Sequence, residues 1–485
     1  MKFDITTEPW LPVKTSSGET RTVTLLEMLE EAHLLQGLEG LNPMEEYSVL
    51  RFFAVFLSAA FRPETWEDKL DILETGRFDM GKIRDYIEKC RKEGVSFDIF
   101  DEKRPFMQAT PNPEYDQEKN LKSPAVLDST RASGNNHMHY DHTLEDDVVM
   151  TPAEAFRGFL TAQIFCTAMS GGYPSNVYGA PPMFYLPKGR NLFEIMVLSV
   201  VTVTSEEPDV SELWRNPLEI VPKREVASAS LLYGMFFPAR RIRLVEQGGN
   251  VKRVYYQPGL HFTGFAGWTD PHTAYRPNKE NVMVSVKPNM DREGWRNIGT
   301  LAAQFAESGL GVPASLKEYR KILDEQDKNQ MEVMIFGAVT NQASYYDMQR
   351  GAFTLDTRIA EDERKATVIA ESVSWMDDVG SVLRKRLKEM ISSDKRGGND
   401  VQNLVHRFYT QCEPIFYALS DKVAGCGGDD LKGTADGWAE DVKRLARNIF
   451  SEAQEIYCST ADELIRAEKA YKWLNVDIVK LMKGR

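Results

Sequence analysis

The sequence is poor in the residues and runs that mark the common chemical toolkits. Cysteine is scarce: Cys90, Cys166, Cys412, Cys426 and Cys458 lie far apart, with no C-x-x-C pair. That argues against both a disulfide framework and a thiolate zinc ribbon. Long apolar runs are missing too. The longest, Val49–Phe61 and Leu192–Val203, are about a dozen residues each, against the roughly 20 needed to span a bilayer. There is no basic excess: the formal net charge is −13, which argues against a surface that grips nucleic acid by bulk charge. No G-x-x-x-x-G-K-[ST] loop, no G-x-S-x-G elbow and no histidine followed directly by aspartate occurs. The opening MKFDITTEPW lacks the basic-then-apolar order of a signal peptide. Repeats and low-complexity tracts are absent. The expectation is a soluble, cytoplasmic protein without a membrane partner. What is present is ample material for a core: 42% apolar and 27% charged residues over a length that predicts two or three domains.

The pattern changes at about residue 360. Before it, helix-like and strand-like segments alternate irregularly. Helices are predicted over Glu45–Phe61, Thr151–Met169 and Gly299–Ser308, and strands over Arg241–Val245, Arg253–Tyr256 and Val282–Val286. After it, apolar residues recur at helical spacing: Val373, Met376, Val379, Leu383, Leu387 and Met390 form the first face. A polar break, SDKRGGND, precedes a second run through Val401, Leu404, Val405 and Phe408, with a kink predicted at Pro414. After the loop AGCGGDDLKG, Trp438, Val442, Leu445 and Ile449 mark a third helix. Thr460 and Glu463, spaced as a capping box, open a fourth. The fold class read from this is α+β: a large mixed N-terminal domain (residues 1–360) followed by a C-terminal four-helix bundle (residues 361–485). The front part holds a net −11 and the tail −2. The tail's first helix carries the basic cluster Arg384, Lys385, Arg386 and Lys388, either a solvated face or a row of phosphate contacts.

Several segments could carry chemistry. His137-Met138-His139-Tyr140-Asp141-His142 matches H-x-H-x-D-H, a ligand supply suited to two zinc or manganese ions. Such a string normally follows a buried apolar strand, whereas polar SGNN precedes this one, which favours a polar contact loop. The carboxylate pairs Asp146-Asp147, Asp377-Asp378 and Asp429-Asp430 sit in polar surroundings and read as solvated surface. In Ser170-Gly171-Gly172-Tyr173-Pro174-Ser175-Asn176, paired glycines allow a backbone to approach a ligand that any Cβ would hold away; an ordinary turn is the plainer account. In Thr340-Asn341-Gln342-Ala343-Ser344, adjacent amides can read bases or fill a groove, again with a plain turn as the alternative.

Five segments, in order, resemble one family. They are Pro9-Trp10-Leu11-Pro12-Val13, Arg104-Pro105-Phe106-Met107-Gln108, and Tyr233-Gly234-Met235-Phe236-Phe237-Pro238-Ala239. Asn341-Gln342-Ala343-Ser344 follows, then His406-Arg407-Phe408-Tyr409 with Gln411 and Glu413. Together they resemble the CasA family, large subunits of the type I-E CRISPR surveillance complex, Cascade, and the resemblance spans nearly the whole chain. It implies a subunit without catalysis. Such a subunit recognises the protospacer-adjacent motif (PAM) in double-stranded DNA, helps open the strands for guide-RNA pairing, and recruits a nuclease–helicase. It implies as partners the other Cascade subunits, a CRISPR guide RNA, double-stranded target DNA and that nuclease–helicase. The family's glycine loop falls on Gly171 and Gly172 and its glutamine wedge on Asn341 and Gln342. Its loop at the guide RNA's 5′ end and the PAM falls on Asn135–His142, with Asn136, His139, Tyr140 and Asp141 as contacts. Arg384, Lys385 and Lys388 would meet the DNA backbone. Two departures stand out. The family's lysine finger lies upstream of the tryptophan matching Trp268, where this chain has no lysine; Lys252 and Arg253 come several residues earlier. The clustered cysteines of some relatives are missing, so no structural metal and no cofactor is expected. Two alternatives remain open: a dinuclear metal-dependent hydrolase using His137, His139, Asp141 and His142, and an adaptor that binds only protein.

Overall fold

Asn42 opens the helix Pro43–Phe61 by accepting from the backbone N–H groups of Met44 (3.0 Å) and Glu45 (2.9 Å), with Pro43 in the first turn where its missing N–H costs nothing. The helix ends where Arg62 turns left-handed (φ 49°) and its N–H returns to Ser58. Because this helix is apolar on nearly every face, it is buried all round and becomes the axis of the first core. Trp10 packs edge-on to Phe52 and Phe156 and stacked on Phe53, fully buried, with its indole N–H donated to the Ile5 carbonyl (2.9 Å). Phe106 packs on Phe52 and Phe97, and Gln108 bonds the Ile99 carbonyl and the Leu244 N–H. Truncating such an aromatic costs about 3–5 kcal/mol. A buried ion pair ties the helix to a distant loop: Arg51 meets Asp270 at 2.7 Å, both side chains excluded from solvent.

The structure, a computed structural model, describes residues 1–128, 130, 148–203, 213–265, 267–289, 294–307, 311–341, 344–391, 397–427 and 430–483. It is mixed helix and strand with a helical C-terminal region. Two compact units divide the chain: Met1–Met290 with Gly311–Lys328 and Glu332–Ala352, and Asp291–Leu310 with Asn329–Met331 and Phe353–Arg485. The first unit holds small sheets, most of them antiparallel, rather than one large one. Leu11–Thr15 pairs with Thr20–Val23 and Leu35–Leu38. Arg240–Gln247 and Asn250–Pro258 form a hairpin edged by Leu121–Lys122. The long hairpin of Gln330–Asn341 and Ser344–Asp356 adds Phe184–Pro187 at its edge. Glu225–Val226 runs parallel to His261–Phe262.

The second unit contains the helices Glu363–Met390, Gly397–Gly425, Leu431–Tyr457 and Ala461–Lys483. The first packs against the other three and against Ile298–Glu307, a segment the sequence pattern placed with the front part. Gly380 is required here, since a Cβ would strike the Tyr409 hydroxyl. The capping box forms as spaced: Glu463 N–H donates to Thr460 Oγ1 (3.3 Å), and Thr460 N–H to the Glu463 carboxylate (2.9 Å). The backbone N–H groups of Thr460 and Ser459, both donating to the Glu463 carboxylate (2.9 Å each), draw it down to a pKa of about 2. Two expected boundaries move. The helix capped by Thr151 stops at Ile164 instead of Met169, and the second bundle helix starts at Gly397, inside the polar break, and runs unbroken through Pro414 to Gly425.

Candidate nucleic-acid interface

Gly171 and Gly172 form the exposed end of a tight turn, closed by Met169 N–H to the Tyr173 carbonyl (3.1 Å). Their φ angles, 80° and 78°, lie in the left-handed region that L side chains avoid, so the turn needs both glycines. A Cβ on Gly171 would meet nothing nearer than the Tyr173 ring at 3.7 Å, so that backbone is open to approach. A Cβ on Gly172 would lie 2.5 Å from the Nζ of Lys223. Lys223 is exposed and itself left-handed (φ 64°), with its N–H held by the Gly259 carbonyl at 2.7 Å.

The turn is exposed but its two ends are anchored. Arg240, fully buried, donates to the Thr167 carbonyl on one side and the Pro174 carbonyl (2.6 Å) on the other. It also donates to the Ala239 carbonyl (3.0 Å) and the Tyr256 hydroxyl (3.1 Å), and its guanidinium lies 5.2 Å from the Tyr173 ring centre. Among the described residues no carboxylate pairs with it, so its charge is offset only by dipoles and ring faces. Tyr173 adds a bond to the Tyr256 carbonyl (3.3 Å), and Asn176 one to the Gln163 carbonyl (2.6 Å). Burial raises the Tyr256 hydroxyl and the Cys166 thiol above their usual ranges, leaving Arg240 with neutral neighbours.

The long hairpin reaches this turn. The Tyr345 hydroxyl donates to the Phe165 carbonyl at 2.6 Å, at the start of the segment leading into Gly171. Burial keeps that hydroxyl well above its usual range and so protonated. Asn341 ends the first strand and Ser344 begins the second. Gln342, and the string holding Asn136, His137, His139, Tyr140, Asp141 and His142, lie outside the described residues. Within the described residues no three His, Cys, Asp or Glu side chains gather to hold a metal. His272 is engaged by Tyr47 and Ser199, not turned toward a ligand.

In the second unit, Lys385 and Lys388 are exposed and Arg384 is half-buried on the helix Glu363–Met390. The fourth member of the sequence cluster drops out: Arg386 is buried and bound to Glu389 and Asp477. Asp377, read as solvated surface, instead accepts from Arg296 Nε at 2.9 Å, while that guanidinium lies 3.7 Å from the Tyr409 ring centre. Sequence reasoning missed Lys223, Arg240 and Tyr345, each brought to the turn from a separate part of the chain.

The family model described as CRISPR-associated protein Cse1 matches residues 4–449. A curated relative from Thermus thermophilus, CRISPR-associated protein CasA/Cse1, is 29% identical over 405 residues, covering 80% of this chain and 78% of the relative. In fold, the chain is similar to the structure of Thermus thermophilus CasA (Cse1), with a TM-score of 0.76 and 22% identity across 100% of both chains. It is similar also to Thermobifida fusca Cse1, with a TM-score of 0.77 and 19% identity over 99% of this chain and 98% of the other. A chain of a CRISPR RNA-guided surveillance complex matches with a TM-score of 0.74 and 19% identity over 98% and 99%. With the family model covering most of its length, the chain belongs to the CRISPR-associated Cse1 (CasA) family.

Proposed function

We propose that the chain is the large, non-catalytic subunit of an RNA-guided CRISPR surveillance complex. In this role it recognises the PAM in double-stranded DNA, promotes strand opening and recruits a nuclease–helicase. The observation that carries this reading is the Gly171–Gly172 turn: exposed, left-handed, without a Cβ, and anchored at both ends by a buried arginine. A rigid backbone of that kind suits close approach to a groove floor, where side chains would be obstructive. In the same reading Gln342, with Asn341, is the wedge. A neutral amide can replace part of the stacking lost on opening, about 1.4 kcal/mol per step, without the desolvation cost of a charge. Asn136, His139, Tyr140 and Asp141 serve as contacts to the guide RNA and PAM region. Arg384, Lys385 and Lys388 contact the DNA backbone.

The test is duplex binding by the complex reassembled with guide RNA and its other subunits. Gly171→Asp places a Cβ and a charge where backbone would meet DNA. It should leave assembly intact and lower affinity for PAM-bearing duplex by tenfold or more, about 1.4 kcal/mol. Equal loss on PAM-bearing and PAM-less duplex would show that the turn does not read the tag.

A further inference from the structure

Lys223 occupies a costly conformation for a lysine. A left-handed backbone costs an L residue roughly 1–2 kcal/mol, and neither a glycine nor an asparagine stands there to relieve it. Its N–H to Gly259 and the Arg224 N–H to Val221 (3.2 Å) fold the segment into the turn that holds it. The following Glu225–Val226 strand, paired with His261–Phe262, extends that hold. The side chain is delivered beside Gly172, while Gly171, with only Tyr173 near, is left uncovered. Beneath the turn lies Arg240, a second positive charge that has no carboxylate partner among the described residues and whose N–H groups donate to three carbonyls and a hydroxyl. In a chain of net charge −13, this is a local positive field built by the fold and not by composition.

We infer that Lys223 binds a backbone phosphate of the duplex at the flank of the glycine turn, with Arg240 as the positioning residue that fixes the turn and adds to its field. This rests on reading the turn as a duplex contact. The ammonium stands beside the approaching backbone, not ahead of it. When Gly171 faces the floor of a groove, a cation at its side meets the groove wall, which in duplex DNA is phosphate. An ammonium is a compact point charge with rotating donors, well suited to a phosphate and poorly suited to discriminating bases.

The experiment measures the affinity of the reassembled complex for PAM-bearing and PAM-less duplexes across a salt series, for wild type, Lys223→Ala and Lys223→Arg. Lys223→Ala keeps the backbone demand and removes the charge. It should reduce the log–log salt slope by about one unit on both duplexes and leave the ratio of their affinities unchanged. Lys223→Arg should restore the slope. An unchanged slope with wild-type binding intact overturns the Lys223 assignment alone. Loss confined to PAM-bearing duplex also overturns it, because the contact would then be to base edges. A wild-type complex that binds neither duplex overturns the functional reading itself, and this inference with it.

Discussion

His272 is a fully buried imidazole with room for one proton only. Its Nε2 faces the Ser199 carbonyl at 3.1 Å, which can only accept, so Nε2 carries the proton and Nδ1 accepts from the Tyr47 hydroxyl at 3.2 Å. Burial, then the nearby Arg51 charge, push its pKa down from 6.5 to about 4. The unfolded chain therefore binds a proton between those values that the folded chain refuses. The stabilising difference is complete above about pH 6.5 and is lost as pH falls toward 4, amounting to about 3 kcal/mol over the window. His272→Gln keeps a donor for Ser199 and cannot titrate. Its denaturant midpoint should be lower at pH 7 and should change less than wild type between pH 7 and pH 5. An equal pH dependence in both proteins would assign the acid sensitivity to other groups.

On the helix Glu363–Met390, near neighbours in sequence meet different fates. Arg386 is turned inward to Glu389 and Asp477, while Lys385 and Lys388 face water. The double variant Lys385→Ala, Lys388→Ala should reduce the salt slope of duplex binding by up to two units without changing PAM preference. An unchanged slope would make the row solvated surface. Arg386→Ala should instead lower the melting temperature, because it removes a buried guanidinium that bridges Glu389 and Asp477 and leaves its place in the packing empty. The tail helices were legible in sequence because one apolar stripe at spacings of three and four can only be a helix face; Leu383 and Leu387 are both fully buried. The division of labour within RKRLK was not legible, since the partner at Asp477 lies about 90 residues away. The same limit applies at the turn. Paired glycines announce a tight turn, but Arg240 reads as one more basic residue of a strand, and only the folded hairpin puts it beneath Thr167 and Pro174. Tyr345 likewise reaches Phe165 across 180 positions. The motifs carrying the family resemblance proved largely to be core: Trp10, Phe106 and Phe408 are buried, and Gly234 is kept bare by the indole of Trp268.

At the scale of the molecule, an acidic chain with a few local cations should bind DNA selectively through position, not quantity of charge. The left-handed backbone at Lys223 sets stability against use at one residue. Lys223→Gly would relieve roughly 1–2 kcal/mol of backbone strain, offset in part by the greater freedom of glycine in the unfolded chain. The variant should therefore melt at or above the wild-type temperature while binding duplex with the shallower salt slope of Lys223→Ala. Thermal melting alongside the salt series measures both; a clearly lower melting temperature would show that the lysine is not strained. A selection for thermal stability alone, run without DNA, would drift toward glycine at this site and return a sturdier protein with a blunted grip.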